Sequence, residues 1–234
     1  MNETQKHTFR KSGLRMEVTI ENRVYTSTID DSPLQSSKLS MWGFLISRLG
    51  EMRSDVFDFE IKHKHYEHVV IRYKEGGSQM IFENGNVIET GFKSENTANI
   101  KLDYLESVII TPLKITNRKI QNIVATAKCN VHVRDLHRLE STFNRHSHIK
   151  NVNTSYNPNE FSGLVVKFSH RRTALIFEKG VFILAGYKDT LSLINNARYI
   201  FFMIKRNCLR YRRYVARERG CSRSRTLKTR HARK

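Results

Sequence analysis

The chain has 234 residues, with 41 Lys+Arg against 22 Asp+Glu, giving a net charge of +19 and a hydrophobic content of 39%. That length makes one large domain or two small ones and can bury a real core, and the charge points to a polyanionic partner, nucleic acid before an acidic membrane surface. No apolar run approaches the roughly 18 residues of a membrane span, the polar start MNETQKHTFRKSG is no secretory signal, and three cysteines with no CxxC pair suit a reducing compartment.

Residues 1–14 read as a polar leader. TIENRVYTSTI alternates as a strand, and SSKLSMWGFLISRLG follows as a helix in which Trp42, Phe44, Ile46 and Leu49 read as packed core. HYEHVVIRYK, GSQMIFENG and NVIETGFK are strands, with a hairpin at Glu83-Asn84-Gly85, and SENTANIKLDYLESVI is the next helix. The order then starts again. KIQNIVATAKCNVHV is a strand and RDLHRLESTFNR a helix. NEFSGLVVKFSH, RRTALIFEKG and VFILAGYK are strands, with a hairpin at Glu178-Lys179-Gly180, and DTLSLINNARYIFFMIKR is a long helix. Beyond it the composition changes. Residues 205–234 hold 13 Lys+Arg and one acid, leaving only +7 for residues 1–204. The stretch 207–234 reads as a disordered basic tail able to hold phosphate without sequence preference.

The second round of elements is an internal repeat of the first. Asn22/Asn122, Val24/Val124 and Thr26/Thr126 are each 100 apart, while Arg72/Lys167, Phe82/Phe177, Gly85/Gly180, Gly91/Gly186 and Lys93/Lys188 are each 95 apart. One insertion of about five residues in the first copy accounts for the change of offset. The repeats span 15–113 and 114–206, and each reads strand–helix–four strands–helix.

Residues two apart on a strand share a face. Asn122, Val124 and Thr126 lie on one face with Phe161, Gly163, Val165, Lys167, Leu175, Phe177 and Ile183, while Ile123, Ala125, Leu164, Val166, Ala174 and Ile176 lie on the other. Helices on one side of an antiparallel sheet cover only one of these faces. The other is either buried against a further part of the chain or a second subunit, or it is a working surface. Its mixture of Asn, Thr, Val and Phe, edged by Arg72 and Lys167, suits a minor groove, whose base edges are mostly acceptors.

The strings IQNIVATA, YNPNEFSGLVVKF, RTALIFEKG and ILAGYK resemble the second repeat of the TATA-box-binding protein family. ENRVYTSTI, IRYK, MIFENG and IETGFK resemble its first repeat, so the resemblance covers roughly residues 16–206. It implies an α+β saddle of two pseudo-symmetric repeats, with a ten-stranded antiparallel sheet and helices on the convex side. It implies a sequence-selective minor-groove DNA-binding and DNA-bending transcription initiation factor, neither an enzyme nor a cofactor or metal protein. The family's DNA wedges match Phe161 and Phe177 in the second repeat, and Phe82 with Tyr66 in the first. Its minor-groove base contacts match Asn22, Val24, Thr26, Met80, Ile88 and Thr90, then Asn122, Val124, Thr126, Leu175 and Ile183. Its phosphate contacts match Arg72, Lys93, Lys167 and Lys188. The implied partners are double-stranded DNA with an A/T-rich promoter, a transcription factor IIB-like factor and RNA polymerase, bound as a monomer and away from membranes. The implied location is the nucleus or a viral replication and transcription compartment.

The departures mark a divergent member, for which a large DNA virus carrying its own transcription machinery is the expected source. Ala185 stands where the family has threonine, and Asn86 and Val181 replace lysines that would touch phosphate. Asn157, Asn159 and Glu160 replace the acidic and apolar residues at which transcription factor IIB docks in the family. Two rivals remain at this level: a nucleic-acid-coating or packaging protein driven by the basic tail, and a protein-interaction scaffold that has lost promoter binding. His63, His65 and His68 cluster, as do His146 and His148, yet no carboxylate or cysteine joins them at a metal-ligand spacing.

Overall fold

The computed structural model describes residues 5–11, 13–34, 40–52, 55–63 and 66–208. The basic tail expected at 207–234 lies outside them beyond Cys208. The first repeat follows the expected order: β2 (Leu14–Asp30), α1 (Met41–Glu51), β3 (Phe57–Lys62), β4 (His68–Tyr73), β5 (Ser78–Phe82), β6 (Asn86–Phe92) and α2 (Glu95–Tyr104). The second runs β7 (Lys114–Cys129), α3 (Leu136–Arg145), β8 (Val152–Ser155), β9 (Leu164–Phe168), β10 (Thr173–Ile176), β11 (Val181–Tyr187) and a helix over 190–208, α4. The strands form one sheet in the order β3-β4-β5-β6-β2-β7-β11-β10-β9-β8. Ten is the number expected, although β3 and β8 lie outside the segments read as strands in the sequence. An eleventh, β1 (Lys6–Lys11), lies in the polar leader and pairs with β2.

Local chemistry starts each helix. The side chains of Ser40, Ser94 and Asp135 accept the backbone N–H of Gly43, Thr97 and Arg138, and Asp189 accepts that of Ser192 at the start of α4. Each such cap satisfies one of the four donors a helix start leaves open and contributes about 1 kcal/mol.

By contacts the chain divides into two compact units, one within 1–7, 18–126 and 183–193, the other within 8–17, 127–182 and 194–234. In the first unit, α1 buries Met41, Leu45 and Leu49 at helical spacing against Phe57, Val69, Ile71, Ile81, Val87 and Phe92 of the strands and Leu105 and Ile109 after α2. Trp42, Phe44 and Ile46 are only partly buried at the border of this core. A bidentate ion pair lies in the same unit: Arg118 donates from Nε to Glu89 Oε1 at 2.8 Å and from Nη2 to Oε2 at 3.0 Å, and Glu89 is fully buried. The Arg118 guanidinium stacks 4.1 Å from the Tyr25 ring centre. Burial raises the Glu89 carboxyl above its ordinary range, and the Arg118 hydrogen bonds and charge oppose that rise.

In the second unit, α3 buries Leu136, Leu139 and Phe143, and α4 buries Ala197, Ile200, Met203 and Ile204. Phe9 of β1 lies beneath the Arg198 guanidinium at 4.5 Å from its ring centre, and Lys11 reaches the Phe202 ring at 6.0 Å. These cation–π contacts hold β1 against α4.

Candidate nucleic-acid interface

One face of the strands is closed and the other is open. Ile123, Ala125 and Ala127 are wholly buried, as are Val87, Glu89, Leu164, Val166, Ala174 and Ile176. The residues between them, including Asn22, Val24, Thr26, Met80, Ile88, Thr90, Asn122, Val124, Thr126, Leu175 and Ile183, are all half-buried. Five aliphatic side chains and a methionine are thus left part-exposed among the described residues.

Within the first unit, a bulge sets the asparagines. Tyr25 pairs with Glu89 but Arg23 with Phe92, so β6 carries one residue more than β2 between these pairs. Gly91 lies there at φ +82°, a conformation that costs glycine nothing. Its N–H is taken by Asn22 Oδ1 at 2.7 Å. The second copy repeats the device: Gly186, at φ +85°, donates to Asn122 Oδ1 at 2.9 Å. The amide oxygens being committed to backbone, each asparagine offers its NH2 group, which can only donate. Asn22 spends part of that capacity on Thr90 Oγ1 at 3.3 Å. Ala185 holds the place of Thr90 in the second repeat and has no hydroxyl to offer Asn122.

Register arranges the neighbours in rows. Met80 pairs with Ile88, and Ile88 with Thr26, so three strands present one apolar and hydroxyl row. Gln121 Nε2 donates to Thr26 Oγ1 at 2.7 Å, and Lys188 Nζ donates to Gln121 Oε1 at 3.4 Å. Strict alternation along β7 puts Gln121 opposite Asn122, so it goes unread in the sequence. The signal that finds it is two residues, Glu21 and Asn22, between the buried Ile20 and Arg23 of β2, matched by Gln121 and Asn122 before the buried Ile123.

In the second unit, Phe161 and Phe177 meet edge to face, with ring centres 5.9 Å apart and planes at 69°. Gly163 makes this possible: a Cβ there would lie 2.7 Å from Phe161 Cε1 and 2.9 Å from Phe177 Cε1. The turn ahead of the pair is built by Asn157, whose side chain accepts the Asn159 N–H at 3.2 Å and whose carbonyl accepts the Phe161 N–H at 2.9 Å. Phe161 is 39% exposed, so the ring is presented rather than packed away. Phe177 is fixed by the hairpin at Gly180, whose N–H donates to the Phe177 carbonyl at 3.0 Å.

The first repeat is arranged otherwise. Phe82 stacks on His68, with ring centres 5.1 Å apart and planes at 29°, while Tyr66 stands 76% exposed. Of the expected phosphate contacts, Lys93, Lys167 and Lys188 are exposed. Arg72 is also exposed, but its Nη1 donates to Glu60 Oε2 on β3 at 3.1 Å. Among the described residues no three His, Cys, Asp or Glu side chains converge as a metal site. His63 faces Glu67 at 3.2 Å, and His65 lies outside the described residues.

Residues 117–207 match the family model described as transcription factor TFIID, or TATA-binding protein, TBP. The chain is 31% identical to TATA box-binding protein-like 2 of Rattus norvegicus over 135 residues, which is 56% of this chain and 37% of that protein. It is 30% identical to the TBP-related factor of Drosophila melanogaster over 141 residues, 58% of this chain and 59% of the relative. It is 32% identical to the TATA-box-binding protein of Pyrodictium occultum over 138 residues, 54% of this chain and 62% of the relative. The matches thus span between about two fifths and three fifths of each relative's length. The solved structure of Methanococcus jannaschii TBP superimposes with a TM-score of 0.60 at 22% identity, covering 81% of this chain and 98% of that one. The relatives named are animal and archaeal, and a viral source gains no support from them. By these similarities residues 117–207 resemble the TATA-binding protein family, and the fold resembles that of a solved TBP.

Proposed function

We propose that this protein is a TATA-box-binding-protein-like transcription factor that binds the minor groove of A/T-rich DNA and bends it. The observation that carries this reading is the pair of asparagine amides locked as donors by Gly91 and Gly186. A·T pairs present only the acceptors N3 and O2 in the minor groove, whereas guanine adds an amino donor that would oppose the asparagine NH2. Half-buried aliphatic side chains around the amides match the floor and walls of a widened groove. The Phe161–Phe177 pair supplies a wedge that can enter a base step. Kinking a site costs on the order of 1–10 kcal/mol and least at flexible TA steps, so deformability adds to the selection made by the amides.

The role is binding, with no reaction step. The basic residues Lys93, Lys167 and Lys188 would neutralise phosphates, and the cationic tail would add affinity without sequence preference. A transcription factor IIB-like factor and RNA polymerase are the proposed protein partners and the nucleus the proposed location. The changed residues Asn157, Asn159 and Glu160 build the turn before Phe161, so this stirrup is organised around the ring even though its acids are reduced to one.

End-to-end energy transfer across a short labelled duplex tests the proposal. The full chain is added at about 200 mM salt, where non-specific phosphate binding is weakened by orders of magnitude. Transfer should rise on an A/T-rich duplex and stay flat on a G/C-rich one, and Phe161→Ala with Phe177→Ala should abolish the rise. Equal binding to both duplexes with no change in transfer would refute the proposal in favour of tail-driven coating.

A further inference from the structure

We propose that the wedge of the first repeat is a stacked pair of His68 and Phe82, with His68 rather than Tyr66 as the ring that meets a base. This rests on the minor-groove reading above. The offset of 95 that relates Phe82 to Phe177 also relates Tyr66 to Phe161 and His68 to Gly163. In the second repeat a Cβ at that middle position would lie 2.7 Å from Phe161 Cε1 and 2.9 Å from Phe177 Cε1, so the rings as they stand leave no room for a side chain. The first repeat puts an imidazole there instead. A tyrosine arranged like Phe161 would then collide with the side chain of residue 68. Tyr66 is accordingly 76% exposed, and the place against Phe82 is taken by the histidine.

The strand register makes the new pair a built feature. His68 and Phe82 are direct cross-strand partners on β4 and β5, the separation at which aromatic pairs stack. The ring is also pinned. His68 Nδ1 lies 2.9 Å from the Tyr66 carbonyl oxygen, so Nδ1 carries the hydrogen and donates. A backbone hydrogen bond on one edge and a phenyl face on the other leave the ring few orientations. The pair keeps a flat aromatic surface held by a sheet, as a wedge requires. It differs from the edge-to-face pair of the second repeat, with planes at 29° instead of 69°. The two repeats therefore carry chemically unequal ring pairs, which would give the protein one preferred orientation on a non-palindromic site.

Local unstacking distinguishes the two rings. 2-Aminopurine is placed at one outer step or the other of an A/T-rich, non-palindromic duplex, and its fluorescence is read on adding the full chain at about 200 mM salt. Phe161→Ala should dim one end only and so assign it to the second repeat. At the opposite end, His68→Ala should remove at least three quarters of the fluorescence gain, His68→Phe should keep it, and Tyr66→Ala should leave it unchanged. Loss of the signal in Tyr66→Ala, or its survival in His68→Ala, would overturn the proposal. Brightening by the wild-type protein at the second-repeat end alone would also overturn it while leaving the groove-binding reading intact. Brightening at neither end would defeat both. Urea midpoints of the variants, expected to stay close to that of wild type for a half-exposed side chain, separate unfolding from loss of the wedge.

Discussion

Replacing Asn122 in two ways separates its structural role from its proposed role at the groove. Its Oδ1 accepts the Gly186 N–H at 2.9 Å, and its NH2 is the donor offered outward. Asn122→Asp keeps an acceptor for Gly186 and so keeps the bulge; the change in unfolding free energy should stay within about 1 kcal/mol. The same change turns the outward donor into an acceptor facing the A·T acceptors. The lost hydrogen bond contributes about 1 kcal/mol and the unsatisfied or opposed acceptor a further 1–3 kcal/mol, for a total of roughly 2–4 kcal/mol. At about 1.4 kcal/mol per tenfold, affinity for the A/T-rich duplex should fall roughly 30- to 700-fold. Asn122→Ala should behave differently, losing about 1–3 kcal/mol of stability because the Gly186 N–H is left without its partner. Fluorescence anisotropy on A/T-rich and G/C-rich duplexes, paired with urea denaturation, reads both quantities. A folded Asn122→Asp protein that still prefers the A/T-rich duplex as wild type does would refute the donor assignment.

Other perturbations follow from the same geometry. Gly180→Ala places a Cβ 2.0 Å from the Val131 carbonyl oxygen at φ +74°, and should cost more than about 2 kcal/mol in urea denaturation; a change below 1 kcal/mol would show that the hairpin can move aside. Glu60→Gln frees Arg72, now bonded at 3.1 Å, so duplex affinity at low salt should rise by up to about fivefold and the slope of log K against log salt should steepen by about one. An unchanged slope would mean that Arg72 meets no phosphate. Arg118→Met strips the fully buried Glu89 of its bidentate partner and should cost about 3–5 kcal/mol near neutral pH. Burial already raises the folded-state pKa of Glu89 above its ordinary 4.5, so its contribution is full below 4.5 and is lost as pH rises through the folded value. With the arginine gone that folded value rises further, so the deficit of Arg118→Met should shrink as pH falls from 7 toward 5, and a deficit flat with pH would refute the assignment.

Much of this architecture is legible in the sequence because it is written twice. The repeated offsets bring Asn22 and Asn122, Gly91 and Gly186, and Phe82 and Phe177 into correspondence before any coordinate is known. Period-two alternation then separates the closed face at Ile123 and Ala125 from the open one at Val124 and Thr126. What escapes this reading has physical causes. β1 carries Phe9 as its lone large apolar residue, and it is held by strand pairing and by the cations of Arg198 and Lys11, neither of which leaves a hydrophobic period. Gln121 is hidden by the phase change beside Asn122. The Arg72–Glu60 pair depends on which strand lies next to β4, since Arg72 and Glu60 are 12 residues apart in the chain and neighbours only through β3–β4 pairing.

The repeat that makes the fold legible also conceals where its halves diverge. Correspondence assigns Tyr66 the role of Phe161, because both precede a strand and both are aromatic. The decisive position is two residues on, where Gly163 corresponds to His68. A methyl group at that point would crowd both rings of the second-repeat pair, so aromatic identity at Tyr66 does not by itself carry the pair over. The central asparagines show the opposite case. Their partners are backbone N–H groups in glycine bulges, which both copies keep, and the amide orientation survives although Thr90 and Ala185 differ beside them. Backbone-anchored groups thus tolerate sequence drift, while the ring pairs depend on one residue's volume. On the proposed groove-binding reading, selection for A/T pairs by the amides should accordingly outlast changes in the ring pairs.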